Sequence, residues 1–94
     1  MDEEEITQWL AKRNRKKQLS IEFAKELAGQ SRLGWFIARY GHNRYAIGKV
    51  TLQKLSSRYF VTDDKGKALT FENIEQAKTF LKDELKILTP HVFG

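Results

Sequence analysis

A chain of 94 residues with a net charge of +5 and no cysteine reads as one domain, 1–94, with room for a single modest core. The missing cysteines exclude disulfides and thiolate metal sites, and no stretch approaches the roughly 18 apolar residues that a membrane-spanning helix needs. His42 and His91 lie far apart, neither with a metal-ligand partner at a recognisable spacing, so no metal and no cofactor is expected.

Residues 1–30 read as a helical N-terminal part. In MDEEEITQWL, Asp2 can cap a helix with Glu5 three positions on, and Ile6, Trp9 and Leu10 share a face. Acids lead, and Lys12, Arg13, Arg15, Lys16 and Lys17 follow. That order suits the helix dipole, so the basic run fits a solvated helix end as well as a phosphate-binding arm. The acidic start is not a basic segment followed by an apolar run, no secretory signal is read, and the cytoplasm is the expected compartment. A second helix follows, with Ser20 as its cap and Leu19 just outside as a staple. Its apolar stripe is Phe23, Ala24, Leu27 and Ala28, and Gly29 is the expected left-handed stop.

Residues 33–71 read as an antiparallel sheet. Leu33, Phe36, Ile37 and Tyr40 have helical spacing, which would make a helix-turn-helix with the segment before it. The richness in Trp, Phe, Ile and Tyr, and Gly34 inside the run, favour a strand instead. Gly41, His42 and Asn43 then form a short hairpin loop into a strand over 44–52. RYFVT (58–62) is a strand, residues 63–66 a turn with Gly66 placed for positive φ, and KALTF (67–71) the returning strand. A helix over 73–88 opens on Asn73 with Gln76 as the second half of a capping box. Ile74, Ala77, Leu81, Leu85 and Leu88 line one face, and Thr89-Pro90 ends it. The expected fold is therefore α+β: two N-terminal helices, a small antiparallel sheet of three to four strands, and a C-terminal helix packed on one sheet face. The tail HVFG is expected to be loose or docked through Val92 and Phe93.

No enzyme is expected and no catalytic residue is nominated. The chain has no glycine-rich phosphate loop, no G-x-S-x-G, no H-E-x-x-H and no Cys–His arrangement. Asp63 and Asp64 suit a tight turn, Glu72 and Glu75 a helix start, and His42 a loop.

The charge distribution is more informative. Residues 12–58 carry twelve Lys and Arg against Glu22 and Glu26 alone, which points to a polyanionic partner. Strand alternation groups Trp35, Ile37 and Arg39, then Tyr45, Ile47 and Lys49, each set ending in a base. Phe36, Ala38 and Tyr40, with Ala46, Gly48 and Val50, form uncharged sets. On the third strand the set ending in a base is Arg58, Phe60 and Thr62. The sets that carry bases are expected to form the open face of a half-covered sheet. The candidate nucleic-acid-binding residues are thus Arg32, Trp35, Arg39, Arg44, Tyr45, Lys49 and Arg58, with Arg13, Arg15, Lys16 and Lys17 as an auxiliary arm. Arg39, Arg44, Lys49 and Arg58 would meet phosphates, and Trp35 or Tyr45 would stack or wedge.

RYFVTDDKGKALTFENIEQAKTFL, residues 58–81, resembles the strand, turn, strand and helix order of three-stranded DNA-binding modules of the integrase arm-binding type, an order that unrelated domains share. The resemblance implies basic readers on the strands before the helix, at Arg39, Arg44 and Lys49. The expected function is a small non-enzymatic nucleic-acid-binding module, DNA ranked ahead of RNA. The alternatives are an adaptor or inhibitor docking an acidic protein through its basic face, and a homodimer formed through the stripe of the last helix. An apolar patch around Trp9 or Val92 and Phe93 would favour the adaptor.

Overall fold

The computed structural model describes Glu5, residues 18–50 and residues 58–93. Apart from Glu5, which is helical, the first expected helix, with Trp9 and the basic residues Arg13, Arg15, Lys16 and Lys17, lies outside the described residues. In chain order the elements are β1 (Gln18–Ser20), α1 (Ile21–Gln30), β2 (Trp35–Arg39), β3 (Tyr45–Val50), β4 (Arg58–Thr62), β5 (Thr70–Phe71), α2 (Ile74–Leu85) and β6 (His91–Phe93). Among the described residues no helix is long and apolar enough to cross a membrane.

The sheet corrects the expected architecture. It has six strands, not three or four, and it is mixed rather than antiparallel. Its order is β1-β4-β3-β2-β6, with β5 also paired to β3. The centre is antiparallel, β2 with β3 and β3 with β4, as the hairpin signals require. The two outer strands are parallel to their neighbours, β1 to β4 and β6 to β2. Each is only three residues long, and each pairs with a segment far away in sequence. Neither carries a local strand signal, so residues 18–20 read as a gap between helices and residues 91–93 as a tail. The expected pair of N-terminal helices is likewise not found among the described residues: α1 is preceded by β1, which is built into the sheet.

The turn at 63–67 forms as read. Gly66 has φ +78°, and the Asp63 carboxylate accepts the amides of Lys65 at 2.9 Å and Lys67 at 3.0 Å. The returning strand is shorter than expected. It touches β4 through a bridge between Thr62 and Ala68, then continues the line of β4 along β3, pairing Phe71 with Tyr45 and Thr70 with Ala46.

Residues 35–39 are a strand, so the helix-turn-helix alternative does not hold. Its pairing sets the core. Trp35 faces Lys49, Ile37 faces Ile47, and Lys49 faces Tyr59. These side chains, with Leu19 and Val61, lie under Ala24, Leu27 and Ala28 of α1 and Ala77, Leu81 and Leu85 of α2. Both helices therefore cover the same sheet face, tied at their exposed sides by a 3.3 Å ion pair between Lys25 and Glu84. Fully burying side chains of this size contributes about 1.5–3 kcal/mol each, which makes this layer the main source of stability. Of the stripe expected on the last helix, Ala77, Leu81 and Leu85 are buried inside the fold, Ile74 is half-buried, and Leu88 lies beyond α2 and is exposed.

Both helices start where their caps predict. Ser20 accepts the amide of Phe23 at 3.1 Å, and Asn73 accepts that of Gln76 at 2.8 Å. Both stop elsewhere. α1 passes through Gly29 to Gln30, because Ser31 is held extended by tertiary bonds: the Trp35 indole donates to its carbonyl at 2.9 Å. α2 ends at Leu85, not at residue 88, on a left-handed residue. Lys86 takes φ +59°, the amide of Ile87 bonds the Leu81 carbonyl at 2.9 Å, and Ile87 is buried while Leu88 is left 70% exposed. The position calls for glycine, and a lysine there gives the sequence no stop signal.

Two stability predictions follow from this packing. Lys86→Gly removes the left-handed penalty of about 1 kcal/mol, so the melting temperature rises by about 4–8 °C in a thermal scan. Burial pushes the Tyr59 phenol above the ordinary value of 10.0. The unfolded chain therefore ionises first, so this contribution is intact below pH ~10 and is lost as pH rises through the folded value. Denaturant titrations across that window should show a shallower alkaline decline in Tyr59→Phe than in the wild-type chain.

Candidate functional site

The face expected to be open is the covered one. Trp35 is 2% exposed and Lys49 1%. Tyr45 is half-buried and packs against the core. The Lys49 ammonium donates to the Leu33 carbonyl and, at 3.3 Å, to the Ser31 hydroxyl, where it fastens the segment between α1 and β2 onto β3. Trp35 and Lys49 are thus structural, and neither can reach a ligand in the folded chain. Arg32, Arg39, Arg44 and Arg58 are exposed. They do not share one face. Arg39 belongs by alternation to the helix side, at the end of β2, while Arg44 and Arg58 belong to the other side.

The reason is a phase error at one strand. Charge groups Arg58 with Trp35 and Lys49, but the register places Arg58 opposite Val50 and Phe60 opposite Gly48. The core face of β4 is its uncharged pair, Tyr59 and Val61, whereas the core faces of β2 and β3 are the ones that end in a base. A base at a strand end is a poor guide to orientation, because it can be exposed beyond the helices, as at Arg39, or be bound internally, as at Lys49.

The sheet's outer face carries a connected group of rings. Phe36 is fully buried at its centre, with Phe60 at 5.5 Å and Phe93 at 5.8 Å between ring centroids, both edge-on. Tyr40 lies 5.6 Å from Phe60, and His91 lies 4.4 Å from Phe93. Small residues make room for them. Ala38, Ala46 and Gly48 occupy the middle of the face, and a Cβ added at Gly48 would lie 2.9 Å from the tip of Phe36 and collide with the Tyr59 carbonyl. The ring of Phe36 shields the glycine, as aromatic cross-strand partners do. Tyr40 remains 47% exposed and Phe93 37%, with Phe60 partly so.

Two guanidinium groups frame these rings. That of Arg58 lies 4.9 Å over Phe93 and 5.8 Å over Phe36, a cation–π arrangement, and it has no ion-pair partner among the described residues. Arg44, next to Tyr40 across the hairpin, bonds the Thr70 hydroxyl at 2.9 and 3.1 Å. By register, the strand residues on this face are Gln18, Ser20, Phe36, Ala38, Ala46, Gly48, Val50, Arg58, Phe60, Thr62, Thr70, His91 and Phe93. None is a carboxylate. Glu22, Glu26, Glu75, Asp83 and Glu84 are on the helices, on the far side of the sheet, and Asp63, Asp64 and Glu72 follow the ends of β4 and β5. A groove of about 600 Å³ along α2 has Phe71 and Phe80 among its lining, but Glu75, Asp83 and Glu84 border it, and it would repel a polyanion.

Sequence reading missed Tyr40, Phe60, Phe93 and His91. The signal that could have found them is the alternation of large with very small residues on β2 and β3, Phe36 and Tyr40 against Ala46 and Gly48, which suits rings lying over a thin sheet centre.

These features define an α+β protein whose sheet face away from α1 and α2 is aromatic and cationic, with no carboxylate among the described strand residues on it. Comparisons with the known protein families, with curated proteins and with solved structures find no match for this chain.

The two basic residues nominated on neighbouring strands should separate cleanly. Lys49→Ala loses buried charge-assisted hydrogen bonds and packing, and should cost about 2–4 kcal/mol in urea unfolding. Arg58→Ala loses only an exposed cation–π contact, and should cost about 0.5–1 kcal/mol.

Proposed function

We propose that this chain is a non-enzymatic nucleic-acid-binding module, with DNA the ligand ranked first from its sequence, and that the ligand lies on the outer sheet face. The observation that supports this is the ring cluster of Tyr40, Phe60 and Phe93 with Arg58 stacked on it and no carboxylate on the surrounding strands. Phosphate contacts fall to Arg58 and Arg44, two of the residues nominated from the sequence. Trp35 and Lys49 leave the set because they are buried. An acidic protein would be steered by the same charges, and the exposed Phe93 is the feature that favours such a partner; the nucleic-acid reading rests on exposed rings and arginines lying together, which suits bases and phosphates at once.

Titration of fluorescently labelled DNA at several salt concentrations tests the proposal. Affinity should fall log-linearly with salt, and Arg58→Ala or Arg44→Ala should each lower the slope by about 0.7–0.9. Lys78→Ala, on the outer side of α2 beside Glu75, should leave the slope unchanged. Absence of binding at about 50 mM salt would sink the proposal.

A further inference from the structure

Resting on the nucleic-acid reading above, we infer that the outer sheet face takes a single strand with its bases unstacked, and not a duplex. The ring planes carry the inference. Tyr40 is tilted 57° from Phe60, and Phe60 and Phe93 stand at 83° and 72° to the buried Phe36, which offers no face of its own. The faces of these rings point in different directions. A base can lie on one of them only if it has left its own stack and turned independently of its neighbours. A duplex offers no such base, because its π-faces are closed by stacking and only its edges and phosphates are presented.

The other route to a duplex, insertion of an element into the major groove, is poorly served here. It would use a helix or a two-stranded ribbon with basic readers. α1 and α2 lie on the opposite face, and Glu22, Glu26, Glu75, Asp83 and Glu84 outnumber Lys25, Lys78 and Lys82 there, which disfavours a phosphate backbone. The cations on the outer face are placed for a backbone that crosses the rings. Arg44 is pinned by Thr70 beside Tyr40 at one end. Arg58 lies over Phe93 at the other, where the planar guanidinium can donate from its edge to a phosphate while its free face takes a base. Tyr40 is 47% exposed and bonds the Arg44 backbone across the hairpin, Phe93 is 37% exposed under Arg58, and Phe60 packs on both Tyr40 and Phe36.

The test measures binding of the full chain to labelled single-stranded DNA and RNA of about 12 nucleotides, to the matching DNA duplex, and to polyglutamate as a non-nucleic polyanion, all at one salt concentration. Either single strand should bind at least about 10-fold tighter than the duplex. Tyr40→Ala and Phe93→Ala should each weaken single-strand binding by about 5- to 150-fold, the range of base–aromatic stacking, with the fold intact by circular dichroism. Tyr40→Phe, which keeps the ring, should bind like the wild-type chain. Duplex binding as tight as single-strand binding, or ring-deleted variants that bind normally while Arg58→Ala does not, would overturn the single-strand inference and leave the nucleic-acid reading standing. Binding to no oligonucleotide, or equal binding to polyglutamate, would overturn both.

Discussion

Everything else in this molecule depends on the register between β2 and β3. Pairing Trp35 with Lys49 and Ile37 with Ile47 turns one face of the sheet into the floor of the core, and a slip of one residue would exchange the two faces completely. The register is held at one end by a cluster of polar bonds under the helices. The Trp35 indole binds the Ser31 carbonyl, the Lys49 ammonium binds Ser31 and Leu33, and the amide of Val50 binds the carbonyl of Gly34 at 2.8 Å. Gly34 is required at that point: it has φ +79°, and a Cβ there would lie 2.7 Å from the Val50 carbonyl. A lysine and a tryptophan that look like recognition residues are thus the fastening of the sheet to its first helix.

Once that face is committed to the core, the other has to manage its aromatic residues without cover from α1 or α2. Phe36 solves this locally by folding over Gly48 and being boxed in by Phe60, Phe93 and Arg58. The enclosing residues are then themselves partly exposed. The result is a surface with hydrophobic body and cationic edge. The helices carry mixed charge, with Lys25, Lys78 and Lys82 beside their carboxylates, whereas the described strand residues of the outer face include arginine and no carboxylate. The proposed ligand face follows from this difference, since two arginines are effective there only because no carboxylate shares the strands.

The local features of the fold were readable from residue types. Ser20 and Asn73 cap their helices because a short polar side chain can reach an unpaired amide. The turn at 63–67 follows from Asp63 and Gly66, and the central strands follow from alternation with glycine-containing turns. Features held by distant contacts were not readable. β1 and β6 are three-residue strands whose only reason to be extended is the neighbour they lie beside. The stop of α2 is a left-handed lysine stabilised by the burial of Ile87.

For the candidate site the division is sharper. The sequence by itself determined that bases are concentrated in residues 12–58 and interleaved with aromatics, and that the chain carries none of the motifs of catalysis sought in it. It correctly paired Tyr40 with Phe36 and Arg58 with Phe60 on their own strands, because alternation along one strand is a property of the backbone. Only the tertiary structure decided how the strands are phased against one another and which side the helices cover. That choice rests on side chains from β1 to β6 meeting α1 and α2, and those contacts span nearly the whole described chain. It places Trp35 and Lys49 inside, and it brings Arg58 onto the same face as Tyr40, Phe60 and Phe93.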